Sequence, residues 1–196
     1  MKLYYTPNSP YGRIARVALR DSGLIAQTEE IEVTTRAEGT PYFDITPLAR
    51  VPLLQDGDVK LGDTRDICGY FDAVTGVARW LPSEDHEARF LRHMTSGFLD
   101  GVAVWLRENG RVGGQRSDPV MRYEEHRARR ALVWFETRWD DRKAWDFTAL
   151  SMAVAVDIAK DRGMDEGWSE IAPGVMGWAA ARADAPHMHA TAPEPM

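Results

Sequence analysis

Three short stretches of this 196-residue chain put polar groups where a ligand's charge could be met. In Asn8-Ser9-Pro10-Tyr11-Gly12-Arg13, a lone hydroxyl stands where a strand-like run gives way to a helical one. Serine followed by proline is a helix-start signature, with the hydroxyl as cap and the proline in the first turn. The same hydroxyl can donate a hydrogen bond to an anion held near the positive end of that helix. In Ala49-Arg50-Val51-Pro52-Leu53, a proline opens a short strand behind a basic and a β-branched residue; alone, that pattern is also an ordinary edge-strand proline. Gly62-Asp63-Thr64-Arg65-Asp66 marks a second helix start. The free N–H groups of its first turn suit a carboxylate, and Asp63 and Asp66 also have capping spacing.

Other reactive residues offer less. His187-Met188-His189 pairs two histidines near the C-terminus, but no third ligand is identifiable nearby, so no metal is expected. Cys68 is the single cysteine, beside the apolar face of a helix, where an inert buried thiol is expected. It permits no intrachain disulfide, which suits a reducing cytoplasm. A formal charge of −6 argues against nucleic acid. No apolar run approaches the roughly 20 residues of a membrane span, and the opening residues show no charged-then-apolar pattern, so no secretory signal is expected.

The elements that must position these stretches differ between the two halves. Lys2 to Tyr5 is rich in β-formers, and Pro10 to Gly23 carries Ile14, Val17 and Ala18 at helical spacing. Gln27 to Val33 reads as a half-buried strand, and Thr34 to Pro47 as irregular with one helical turn. Pro52 to Gln55 and Asp58 to Leu61 flank Asp56-Gly57 as a hairpin, and Asp63 to Val74 closes the unit as a helix. From Gly76 the strand signals end. A long helix from about Leu91 breaks at Asn109-Gly110, and Asp118 as a cap with Pro119 at the first helical position opens another reaching about Trp139. Thr148 to Lys160 reads as a buried central helix, Glu166 to Arg182 as a further helix, and the remainder as a tail.

This order, with YYTPNSPYGRIARVAL, ITPLARVPLL, LGDTRDICGYFD and the closing ATAP, resembles the glutathione transferases. The bacterial members with Ser-Pro-Tyr after the first strand are the most alike. The resemblance implies a thioredoxin-like α/β domain over residues 1–76, a linker at 77–85 and an all-α domain over 86–196. It also implies a homodimer whose partners are glutathione and an apolar electrophile held between domains.

The resemblance assigns roles as well. Redox relatives of the fold, the glutaredoxins, keep Cys-Pro-Tyr-Cys where this chain has Ser9-Pro10-Tyr11-Gly12, so dithiol exchange by the protein itself is excluded there. Ser9 instead implies a donor to the glutathione sulfur. Lowering a thiol pKa from about 8.5 by about two units takes roughly 2.7 kcal/mol, within reach of one charge-assisted bond and a helix terminus. Val51, before a cis Pro52, would pair its main chain with the cysteinyl segment, and Arg50 would meet the terminal carboxylate. Asp63 and Thr64 would hold the γ-glutamyl end, Thr64 replacing the usual serine. Tyr5 is the rival thiol activator, or else a packing residue or part of the second-substrate wall; Asn8 offers an extra donor at the same corner, Arg13 is a structural or electrostatic helper on the first helix, and Trp105 is expected to face the cleft between domains. The family's buried helix usually opens with Ser/Thr-x-x-Asp; here Thr148 is followed by Ser151, a weaker cap. Conjugation stays beside two alternatives: a non-catalytic binding or regulatory protein, and a glutathione-dependent lyase or isomerase.

Overall fold

The computed structural model describes residues 1–82, 85–112, 114–139 and 144–194, which cluster into two compact units. The first runs from Met1 to Pro82 and takes in the C-terminal segment from Pro186; the second is the helical stretch ending at Ala185.

In the first unit, β1 (Lys2–Tyr5) leads into α1 (Pro10–Asp21), and β2 (Glu29–Glu32) returns parallel to β1. A single turn, α2 (Tyr42–Ile45), precedes β3 (Leu53–Asp56) and β4 (Val59–Leu61), and α3 (Thr64–Thr75) follows. The sheet order is β2-β1-β3-β4, with β3 antiparallel to both neighbours. Gly57 turns the hairpin at φ 56°, and Gly76 ends α3 at φ 72°, both in the left-handed region that glycine enters without steric cost. Ile14, Val17 and Leu19 of α1, Ile67 and Phe71 of α3, and Leu3 and Leu54 of the sheet are fully buried. Each contributes about 1.5–3 kcal/mol by leaving water. This is the thioredoxin-like half of the glutathione-transferase architecture, and the helical unit supplies the other half.

That unit contains α4 (His86–Asn109), α5 (Asp118–Glu136), α6 (Phe147–Asp161), α7 (Trp168–Ile171) and α8 (Pro173–Ala183). Buried residues run all around α6, as its nearly unbroken apolar sequence requires. Three details differ from the sequence expectation. The cap of α6 is Asp146, which accepts from the Ala149 amide at 2.9 Å, so Thr148 lies inside the first turn and the helix start is not weak. Ser117, not Asp118, caps α5. The expected helix over 166–182 is two, because the chain leaves helical geometry at Ala172 (φ −144°) before Pro173 restarts it. The C-terminal tail also has structure: it forms α9 (Pro186–His189), which groups with the first unit although the sequence reading put it with the helices. Among the described residues no helix is long and apolar enough to cross a membrane.

Candidate functional site

Three strands deliver the three stretches to one end of the sheet. Tyr4 of β1 pairs with Leu53 of β3, and Leu54 with Leu61 of β4. The exit of β1 toward Ser9, the entry of β3 from Val51-Pro52 and the exit of β4 toward Asp63 therefore lie side by side. At about 4.8 Å per strand, β1 and β4 stand about 10 Å apart there. An extended tripeptide spans about the same length.

At the first corner Ser9 caps α1 with extended backbone (φ −81°, ψ 118°), and its Oγ accepts from the Gly12 amide at 3.0 Å. A hydroxyl carries two acceptor lone pairs and one proton. The cap uses a lone pair, and among the described residues no protein acceptor takes the proton. Pro10 sits in the first turn, and Ser9 itself is half-buried.

At the second corner the Val51–Pro52 peptide bond is cis. The Val51 side chain packs on the cluster of Tyr4, Tyr42, Ala49 and Leu53, while its N–H and C=O make no backbone hydrogen bond among the described residues. Two residues hold this turn that sequence reasoning missed. The Tyr42 hydroxyl donates to the Arg50 carbonyl at 2.8 Å. Burial, with the neighbouring Tyr4 phenol adding, pushes the Tyr42 phenol up to about 12, so it remains a donor. Ala49 adopts φ 45°, a left-handed conformation that costs a non-glycine residue about 1–2 kcal/mol. Neither has a sequence signature. Tyr42 falls in a stretch read as irregular, and alanine gives no hint of positive φ. Arg50 is exposed.

At the third corner Asp63 caps α3, its Oδ1 accepting from the Arg65 amide at 2.9 Å and the Asp66 amide at 3.2 Å. Thr64 is 8% exposed at the first helical position. Its amide and hydroxyl have no hydrogen-bond partner among the described residues, which leaves two donors at the positive end of a helix.

The remaining candidates are placed otherwise. Tyr5 lies under the Arg16 guanidinium, 4.0 Å from its ring centroid, and Arg16 pairs with Glu30 of β2 at 2.7 Å. Asn8 is exposed beside Ser9. Arg13 is buried and donates from Nη2 to the Met188 carbonyl at 3.0 Å. Trp105 lies on α4, 7% exposed. Burial, with Asp72 and Asp63 adding, pushes the Cys68 thiol far up, so it stays protonated and unreactive. His187 is taken by Asp21, and no group of three or more His, Cys, Asp or Glu among the described residues could hold a metal ion.

The arrangement is a row of uncommitted donors and one exposed carboxylate at one end of the sheet. Residues 3–76 match the family model described as glutathione S-transferase, N-terminal domain. Among solved structures the chain is similar to a glutathione S-transferase from Methylobacillus flagellatus KT with GSH bound, at 23% identity, TM-score 0.83, covering 98% of this chain and 99% of that one. It is also similar to one from Methylobacterium radiotolerans in complex with glutathione sulfonate, at 18% identity and TM-score 0.81, covering 100% and 95%. A third is a glutathione transferase family member from Pseudomonas fluorescens Pf-5 with bound glutathione, at 24% identity and TM-score 0.80, covering 99% of each chain. No curated protein sequence matches the chain. The fold is that of the glutathione transferases from end to end. At these identities the likeness to the solved structures is one of fold.

Proposed function

We propose that this protein is a glutathione transferase that activates the thiol of glutathione through the Ser9 hydroxyl and directs it at an apolar electrophile. The observation that carries the reading is the row of free polar groups at one sheet end: the Ser9 proton, the Val51 main chain, and the Thr64 amide and hydroxyl, over a length that suits a tripeptide. The match of residues 3–76, and the glutathione named with the similar structures, support the same ligand. In this reading the γ-glutamyl carboxylate binds Thr64, its ammonium meets Asp63, the cysteinyl backbone pairs with Val51 beside Pro52, and Arg50 attends the terminal carboxylate. Stacking of Arg16 on Tyr5 favours Ser9 over Tyr5 as the sulfur's donor. The protein's contribution is to hold the nucleophile ionised and bring the reactants together. A cytoplasmic homodimer completes the proposal, the compartment resting on the single buried cysteine.

Thermal stabilisation by millimolar glutathione, then conjugation to a chloronitroarene, tests it. Both are expected. No stabilisation removes the glutathione site; stabilisation without conjugation to any electrophile leaves a binding protein, and cleavage or isomerisation without conjugation leaves a lyase or isomerase.

A further inference from the structure

The chain's last described turn is fastened to the helix that carries Ser9. Met188 of α9 is fully buried, and Thr191 just beyond it is 1% exposed. Thr191 Oγ1 donates to the His187 carbonyl at 2.8 Å and to the Met188 carbonyl at 3.3 Å, which closes the segment on itself. Two bonds then tie it to α1. Arg13 Nη2 donates to the Met188 carbonyl at 3.0 Å, near the helix start. His187 Nδ1 meets Asp21, the last residue of α1, whose other carboxylate oxygen faces Arg79 Nη2 at 3.7 Å. The segment is a strap whose adjacent residues Met188 and His187 reach both ends of α1.

Arg13 is the link that matters to the corner. Its amide donates to the Ser9 carbonyl at 2.9 Å, next to the Gly12 amide on Ser9 Oγ. Arg13 as a whole is only 2% exposed. A buried cation keeps its place only while its hydrogen bonds do, because a shift strips it of compensation. The backbone that fixes Ser9 and the side chain that grips the strap therefore belong to one residue.

We infer that the C-terminal strap positions the Ser9 corner and that Arg13 transmits its hold. The inference rests on the proposed glutathione site for its consequence, but not for its geometry. Arg13 acts through Ser9 and is a positioning residue. An unfastened strap lets the first turn of α1 open, and the donor then drifts from the sulfur while the Val51 and Thr64 contacts remain.

The test compares the full chain with Arg13→Met, which removes the donor, and Met188→Val, which loosens the strap without touching α1. Amide hydrogen exchange is read at Gly12 and Arg13, against Ile67 of α3, whose amide is bonded to the Asp63 carbonyl. Exchange at the two α1 amides is expected to rise about tenfold or more while Ile67 changes little, as local opening requires. With glutathione bound, the thiolate absorbance should titrate about half a unit or more higher, with the dissociation constant within about threefold of the unchanged chain. A lower Tm with equal exchange changes at all three amides, or an unshifted thiolate titration, overturns the inference. Failure of the unchanged chain to take up glutathione defeats the proposed function and leaves the exchange comparison to decide the strap. Where Arg13→Met does not fold, Met188→Val decides.

Discussion

The Gly12 amide donates to Ser9 Oγ at 3.0 Å, and a Cβ on Gly12 would stand 3.2 Å from Ser9 Cβ. A bare glycine thus lets the hydroxyl fold over the helix start. In the proposed function, capping and thiolate stabilisation would use different parts of one group, a lone pair for the cap and the proton for the sulfur.

That division separates two substitutions. Ser9→Ala should cost about 1 kcal/mol of stability through the lost cap, whereas Ser9→Gly should cost only a few tenths. Both remove the proton, so both should raise the pKa of bound glutathione by about one to two units and slow conjugation at neutral pH about tenfold or more. Thermal melts and thiolate absorbance against pH check this together. Activity that follows the melts instead of the missing proton would reduce Ser9 to a helix cap.

Asp63 is likewise a cap with an exposed charge. Asn caps as well as Asp does, so Asp63→Asn should change stability by less than about 0.5 kcal/mol. It removes the anion proposed to meet the ligand's ammonium. The dissociation constant for glutathione should rise about tenfold, the order of one partly exposed charge-assisted bond. Calorimetric titration measures it, and glutathione lacking the α-amino group should bind both forms equally. Equal binding of intact glutathione to both forms would leave Asp63 a structural residue.

Tyr42 supports the Val51 turn from behind. Tyr42→Phe deletes the bond to the Arg50 carbonyl and keeps the ring packed against Tyr4, whose centroid lies 5.7 Å away. About 1 kcal/mol of stability should go with the bond. The Michaelis constant for glutathione should rise severalfold while kcat holds, because the loss falls on peptide binding and not on the sulfur. A fall in kcat alone would contradict that placement.

What the sequence discloses tracks how local each cause is. The Ser9-Pro10 junction, the Asp56-Gly57 hairpin and the start of α3 at Asp63 are legible because neighbours in the chain determine them, so the elements carrying all three corners can be read in advance. The cis turn is anticipated through the resemblance. Tyr42 is hidden because its partner is a distant carbonyl, and Ala49 because alanine is an unusual bearer of φ 45°. Asp146 displaces Thr148 as the cap of α6 by beginning the helix earlier than the apolar run does. The strap is invisible for another reason. Met188 is one apolar residue between two histidines, too short a pattern to show periodicity, and the donor to its carbonyl, Arg13, lies 175 residues earlier in the chain.

The same long-range logic governs acid stability. Glu30 of β2 accepts from Arg16 Nε at 2.7 Å and from Arg20 Nη1 at 3.0 Å. Burial pushes its carboxyl up, but the hydrogen bonds and charges of Arg20 and Arg16 outweigh burial and hold it below its ordinary value of 4.5. A carboxyl depressed in the fold stabilises it at pH above the unfolded value, and that contribution is lost as pH falls through the folded one. The Tm should therefore decline as pH drops below about 4.5. Glu30→Gln should melt lower than the unchanged chain at pH 7 and lose less on acidification, so the two curves converge toward pH 3 or so. Because Arg16 also covers Tyr5, the variant frees that guanidinium, and Tyr5 fluorescence should change along with the melts. Parallel melting curves across the whole range would show that Glu30 is not a source of the acid sensitivity.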